Sequence, residues 1–156
     1  MSDHDLYTRL ASTAKEFLLS TSAHPAGSNT PDPTRIHARL APTFRLSWGH
    51  TFFVSQTPPL QGAVDGDGFV AHLHSMAPAL RTWWIEVTGI CVDVGQRCAV
   101  VRGDFSMVAK GGKEEPVVND VVMWVGMDKR GEKVVRAVEF VDPVASAELK
   151  GRIAKL

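Results

Sequence analysis

The chain is poor in cysteine and tyrosine: two cysteines and one tyrosine, Tyr7, stand among 156 residues. Two cysteines exclude a disulfide scaffold. A chain of this length needs none, because it can bury close to 70% of its unfolded surface. Net charge is also missing, with 17 basic residues against 17 acidic ones. The basic excess of a nucleic-acid binder is absent. No apolar run reaches the roughly 18 residues of a membrane span. The opening Met-Ser-Asp-His-Asp is acidic, and no apolar segment of the secretory kind follows it. The expectation is therefore a cytoplasmic protein, with no nucleic-acid or membrane partner. In a reducing compartment Cys91 and Cys98 are expected to be free, partly buried thiols. What is present is ordinary globular composition, 44% hydrophobic and 22% charged, read as one domain over residues 1–156.

The first half reads as helical. Leu6, Leu10, Ala14, Phe17 and Leu18 recur at helical spacing over residues 3–20, with Asp3 or Asp5 at the N-terminus. Residues 21–33 form a Ser-, Gly- and Pro-rich loop. Asp32-Pro33 starts a second helix, with Ile36 and Leu40 as its stripe and Pro42 as its limit. Phe44 to Val54 reads as short, aromatic and irregular, and Thr57-Pro58-Pro59 as a turn or extended segment. Asp65-Gly66-Asp67-Gly68 leads into a third helix carrying Phe69, Leu73 and Met76, which Pro78 ends.

From Trp83 onward β-propensity dominates. Strands are predicted at about 83–94, 98–109, 116–127 and 133–142. Gly95-Gln96, Gly111-Gly112 and the hairpin turn Asp128–Gly131 separate them. A closing helix is predicted from about Pro143 to Lys155. Links this short cannot carry parallel crossovers, so these strands form an antiparallel sheet. Helices followed by meandering strands give an α+β class, a curved antiparallel sheet packed on three N-terminal helices with a central pocket.

At this point the chain resembles a family. The three-helix start, the Pro-Pro-Leu segment and the four-strand meander look like the NTF2-like cone. The strand Val117 to Trp124, with its Asn119-Asp120-Val121, and the segment Glu139-Phe140-Val141-Asp142 are similar to the small fungal SnoaL-like proteins of secondary-metabolite pathways. Those proteins usually carry Asn-Glu-Tyr where this chain has Asn119-Asp120-Val121. The resemblance covers roughly residues 5–150. It implies cofactor-independent isomerisation or cyclisation of polyketide- or terpenoid-type intermediates, with a small-molecule substrate. It also implies a homodimer joined through the outer sheet face.

No G-x-S-x-G, Walker A or G-x-G-x-x-G signature is present. Asp65-Gly66-Asp67-Gly68 fails as a calcium loop because its twelfth position is Met76. His72 and His74 point about 200° apart on a helix and cannot chelate one ion, so no metal site is expected. Glu139 stands out as a carboxylate in an apolar strand, on the face of Ala137 and Val141. It is either a pocket acid or base or half of a structural ion pair with a neighbouring Arg. Asn119 is placed inward, and Asp120 outward beside Arg102 or Arg136.

Arg45 is a candidate to pair with Glu139 or hold a substrate oxygen, and His50 to shuttle a proton. The bland readings are a surface Arg and a His stacked on Trp48. Glu139, His50, Arg45 and Asn119 are thus the catalytic candidates. Trp48, Phe69, His72, Met76, Trp83, Val121 and Met123 are the substrate-binding ones. An enzyme of the isomerase or cyclase kind competes with a non-catalytic small-molecule-binding module and with a cofactor-independent dehydratase.

Overall fold

A computed structural model describes residues 2–111 and 115–154. The long N-terminal helix α1 (Asp3–Ser20) begins with a reciprocal cap. Ser2 accepts from the Asp5 amide, and the Asp5 carboxylate accepts from the Ser2 amide at 3.1 Å. Asp32 caps α2 (Pro33–His37), and Pro33 occupies its first turn. α2 is a turn and a half long, so Leu40 falls outside it and opens β1 (Leu40–Trp48). The segment read as irregular is therefore a strand followed by α3 (Thr51–Ser55), a 3₁₀ turn at Pro58–Leu60 and β2 (Ala63–Val64). Pro42 lies where the register of β1 shifts, between Leu40 and Arg45. Proline has no amide hydrogen to give a ladder, so it is tolerated at such an irregularity.

Asp65 caps α4 (Gly66–Met76), which runs into a 3₁₀ turn at Ala77–Ala79 carrying Pro78. The meander follows: β3 (Leu80–Asp93), β4 (Cys98–Ala109), β5 (Val117–Met127) and β6 (Val134–Phe140). Gly131, at φ 70°, closes the β5–β6 turn, and Asp128 accepts from the amides of Arg130 and Glu132. α5 (Pro143–Ile153) ends the described chain. The expected turn residue Gly112 and helix end Lys155 lie outside the described residues.

The sheet order is β2-β1-β6-β5-β4-β3. The four meander strands pair antiparallel, as expected, but β1 pairs parallel with β6. The sheet is thus mixed rather than wholly antiparallel. The link between β1 and β6 is most of the chain, so the argument from short links does not reach it.

The inner face of the sheet packs on α1 and α4. Leu10, Ala14, Phe17 and Leu18 of α1 are fully buried. Gly103 lets α1 approach: a Cβ there would stand 2.8 Å from Leu18 Cδ2 and 3.1 Å from the Glu86 carbonyl. Trp83 donates its indole N–H to the Thr21 carbonyl at 3.1 Å and ties the end of α1 to β3. The cysteines are free, Cys91 exposed and Cys98 buried; Cys91 stands opposite Val100, and Cys98 opposite Asp93. Among the described residues, no helix is long and apolar enough to cross a membrane.

Candidate functional site

A cavity of about 440 Å³ opens between the inner sheet face and the helices. Strand alternation supplies one wall: Trp48 from β1, Glu139 from β6, Asn119 and Val121 from β5, Phe105 and Met107 from β4. α4 supplies His72, Leu73 and Met76. The segment after β1 covers it with Phe53, Thr57 and Leu60, and α5 closes it with Ser146, Leu149, Lys150 and Ile153.

Glu139 is 6% exposed on this wall. Its Oε2 accepts the indole N–H of Trp48 at 2.7 Å. Residues 91 apart in sequence meet because β1 lies parallel to β6, with Trp48 registered against Glu139. Among the described residues, Glu139 has no ion pair, and Oε1 has no protein partner. No buried side-chain polar atom among them is left unsatisfied, so Oε1 is the oxygen open to the cavity. Burial pushes the carboxyl up to about 7, and the Trp48 hydrogen bond pulls it partly back.

His72 packs against Trp48, with ring centroids 4.8 Å apart and planes tilted by 55°. Burial holds the imidazole below its ordinary value, so it is neutral near pH 7. Trp48 therefore touches both titratable groups: it donates its N–H to the Glu139 carboxyl and packs against the His72 ring at a 55° tilt.

The other polar side chains in the lining are occupied. Asn119, 5% exposed, donates to Ser146 Oγ at 2.9 Å and accepts from the Asp142 amide at 2.9 Å. Ser146 donates in turn to the Asp142 carbonyl. Asn119 thus faces inward and anchors the start of α5. Thr57 donates to the Phe53 carbonyl and Ser75 to that of His72. The groups left for a ligand are Glu139 Oε1, the His72 ring nitrogens and the Lys150 ammonium.

Of the candidate residues, the structure brings Glu139, Asn119, Trp48, His72, Met76 and Val121 to the cavity. It does not bring the others. Arg45 is exposed; its guanidinium lies 3.9 Å from Asp65, and the expected contact with Glu139 is replaced by Trp48. His50 has φ 60° and sets its ring edge-on to Phe140 at 5.3 Å, outside the cavity lining. Phe69 is fully buried with Phe17 and Phe44, Trp83 is tied to Thr21, and Met123 lies fully buried opposite Glu139. Asp120 turns outward and binds Arg102, as one of its two expected pairings. Among the described residues, no group of three or more His, Cys, Asp or Glu is placed to hold a metal.

Sequence reasoning missed the contribution of α5. Pro143, Ser146, Ala147, Lys150 and Ile153 recur at three- and four-residue spacing and share the cavity face. That spacing was the available signal. It also missed Phe53, Thr57 and Leu60, whose segment is interrupted by Pro58 and Pro59.

An α+β cone in which a curved mixed sheet wraps over helices around a cavity is the NTF2-like fold. No protein-family model matches the chain, and no curated protein matches it in sequence. Solved structures do. BvnE pinacolase from Penicillium brevicompactum is 13% identical, with TM-score 0.76 over 100% of this chain and 98% of that one. PrhC from Penicillium brasilianum is 14% identical, with TM-score 0.75 over 96% and 91%. A protein described as a SnoaL-like polyketide cyclase, from Jannaschia sp. CCS1, is 14% identical, with TM-score 0.67 over 92% of each chain. At such identities the likeness establishes the fold.

Proposed function

We propose that this protein is a cofactor-independent isomerase or cyclase acting by general acid–base chemistry on a polyketide- or terpenoid-type intermediate. The observation that carries the reading is Glu139: a buried carboxyl, poised near pH 7, with one oxygen fixed by Trp48 and the other open to an apolar cavity. Such a group takes a proton from the carbon beside a substrate carbonyl. The electron pair of that C–H bond passes into an enolate, whose oxygen the neutral His72 imidazole stabilises by donating a hydrogen bond. Return of the proton at a different carbon completes an isomerisation. Attack of the enolate carbon on a second carbonyl closes a ring instead, and the resulting alkoxide takes the proton from Glu139. The names of the neighbours, a pinacolase and a polyketide cyclase, agree in kind with rearrangement and ring closure.

The test is a panel of polyketide- and terpenoid-derived ketones incubated with the protein in deuterium oxide. Products of unchanged mass apart from incorporated deuterium are expected. Loss of water would move the reading to a dehydratase. Binding without exchange or conversion would overturn it in favour of a binding module.

The reading includes a homodimer through the outer sheet face. Trp84, Val100, Val118 and Trp124 are exposed there, around the Arg102–Asp120 pair. Light scattering at micromolar concentration should give twice 17.0 kDa, and Trp124→Lys should return the monomer. A wild-type protein of 17.0 kDa removes the dimer.

A further inference from the structure

The cavity has an electrical direction. Its acid, Glu139, is buried on the sheet wall, whereas its fixed cation, Lys150, is exposed on α5. Apart from His72, the rest of the lining is apolar or has its hydrogen bonds spent within the protein, as for Thr57, Ser75, Asn119 and Ser146. Lys150 lies four residues beyond Ser146, about 6 Å along the helix axis. Ser146 is held by Asn119, so the start of α5, one turn before Lys150, is fixed against the sheet.

Lys150 occupies a cavity-facing position of α5, flanked on that face by Ala147 and Ile153. Its neighbour Arg152 takes both Glu148 and the Glu115 carbonyl, leaving the helix carboxylate engaged elsewhere. Among the described residues, no carboxylate lies within ion-pair distance of Lys150. A lysine that lines an apolar cavity while staying exposed to solvent favours a ligand that carries negative charge on its side of the cavity.

We propose that Lys150 is the anion-recognising end of the cavity, and that the ligand is an apolar molecule with a carboxylate separated from the part that lies against Glu139. This rests on the cavity being the substrate site, and it adds the substrate's polarity: neutral and reactive beside Glu139, anionic beside Lys150. The charge contact orients the molecule, and the carboxylate stays beside Lys150, where solvent still reaches it. Burial of that carboxylate beside Glu139 would instead place two acids in one apolar wall.

The test is a matched pair of ligands, 4-(1-naphthyl)butanoic acid and 4-(1-naphthyl)butan-1-ol, titrated by calorimetry at low salt. The wild type should bind the acid about 3- to 10-fold more tightly than the alcohol, the range of a partly solvated charge contact. Added salt should narrow that preference. Lys150→Met should erase it, and Lys150→Glu should reverse it, each by changing affinity for the acid more than affinity for the alcohol. Equal affinities in the wild type, a preference that survives Lys150→Met, or equal weakening of both ligands would overturn the proposal. Equal weakening would leave Lys150 as apolar cover through its stem alone. Failure of both ligands to bind would also count against it. The preference is read without turnover and should persist in Glu139→Gln. A preserved preference with no conversion of any ketone would thus sink the isomerase reading and leave this one standing.

Discussion

Glu139→Gln is expected to lower turnover about 10²- to 10⁴-fold while making the protein more stable in alkali. The amide keeps an oxygen to accept the Trp48 indole N–H, so the 2.7 Å contact has a counterpart in the variant. It removes the proton that the mechanism moves. The stability effect follows from linkage. Burial raises the carboxyl from 4.5 to about 7. Below pH 4.5 both folded and unfolded chains hold the proton. Between 4.5 and about 7 the folded chain holds it while the unfolded chain has released it, so wild-type stability falls as pH rises. Above 7 the loss is complete, about 3 kcal/mol for a shift of this size. Glutamine does not titrate, so this part of the pH slope should vanish. The variant should match the wild type near pH 4 and exceed it near pH 8. Urea midpoints at the two pH values read the stability, and turnover at saturating substrate reads the chemistry. A variant that keeps full activity removes Glu139 from the mechanism. A variant destabilised by about 3 to 5 kcal/mol at pH 8 would instead reveal a buried ion pair.

Glu139 was legible because a carboxylate is conspicuous among Val134, Val135, Ala137, Val138 and Val141. Its partner was not. Trp48 reaches it only because β1 runs parallel to β6, and no local pattern in Leu40–Trp48 announces that pairing. Pro42 breaks the alternation of β1, and Gly49 ends it. Gly49 has its own tertiary reason: a Cβ there would fall 2.0 Å from the Phe140 ring. The meander was legible for the opposite reason. Its strands pair with sequence neighbours and are joined by turns with their own chemistry, such as Asp128–Gly131. Lys150 escaped notice because a lysine on a closing helix reads as a solvated face. Only the cavity shows which way that face looks.

Phe69 marks the remaining limit of the sequence, and its replacement should have the largest effect on stability. Alternation and helical spacing tell inward from outward, but they do not tell a packed layer from a cavity wall, since both point inward. Phe69 and His72 lie three residues apart on α4, yet His72 borders the cavity and Phe69 does not. Its ring sits 6.1 Å from Phe17 and 6.2 Å from Phe44, and those two meet at 5.9 Å. The trio joins α1, β1 and α4 in the core, and none of its rings lines the cavity. Phe69→Ala should therefore cost about 3 to 5 kcal/mol, the range for emptying a packed aromatic site. That is a large part of the roughly 5 to 15 kcal/mol that holds such a domain together. Phe69→Leu refills part of the space and keeps the protein folded for the second measurement, its affinity for 4-(1-naphthyl)butanoic acid. A lowered urea midpoint with unchanged affinity places Phe69 in the core. A several-fold loss of affinity with an unchanged midpoint would return it to the cavity wall, where a direct contact with ligand, rather than packing against Phe17 and Phe44, would be its role.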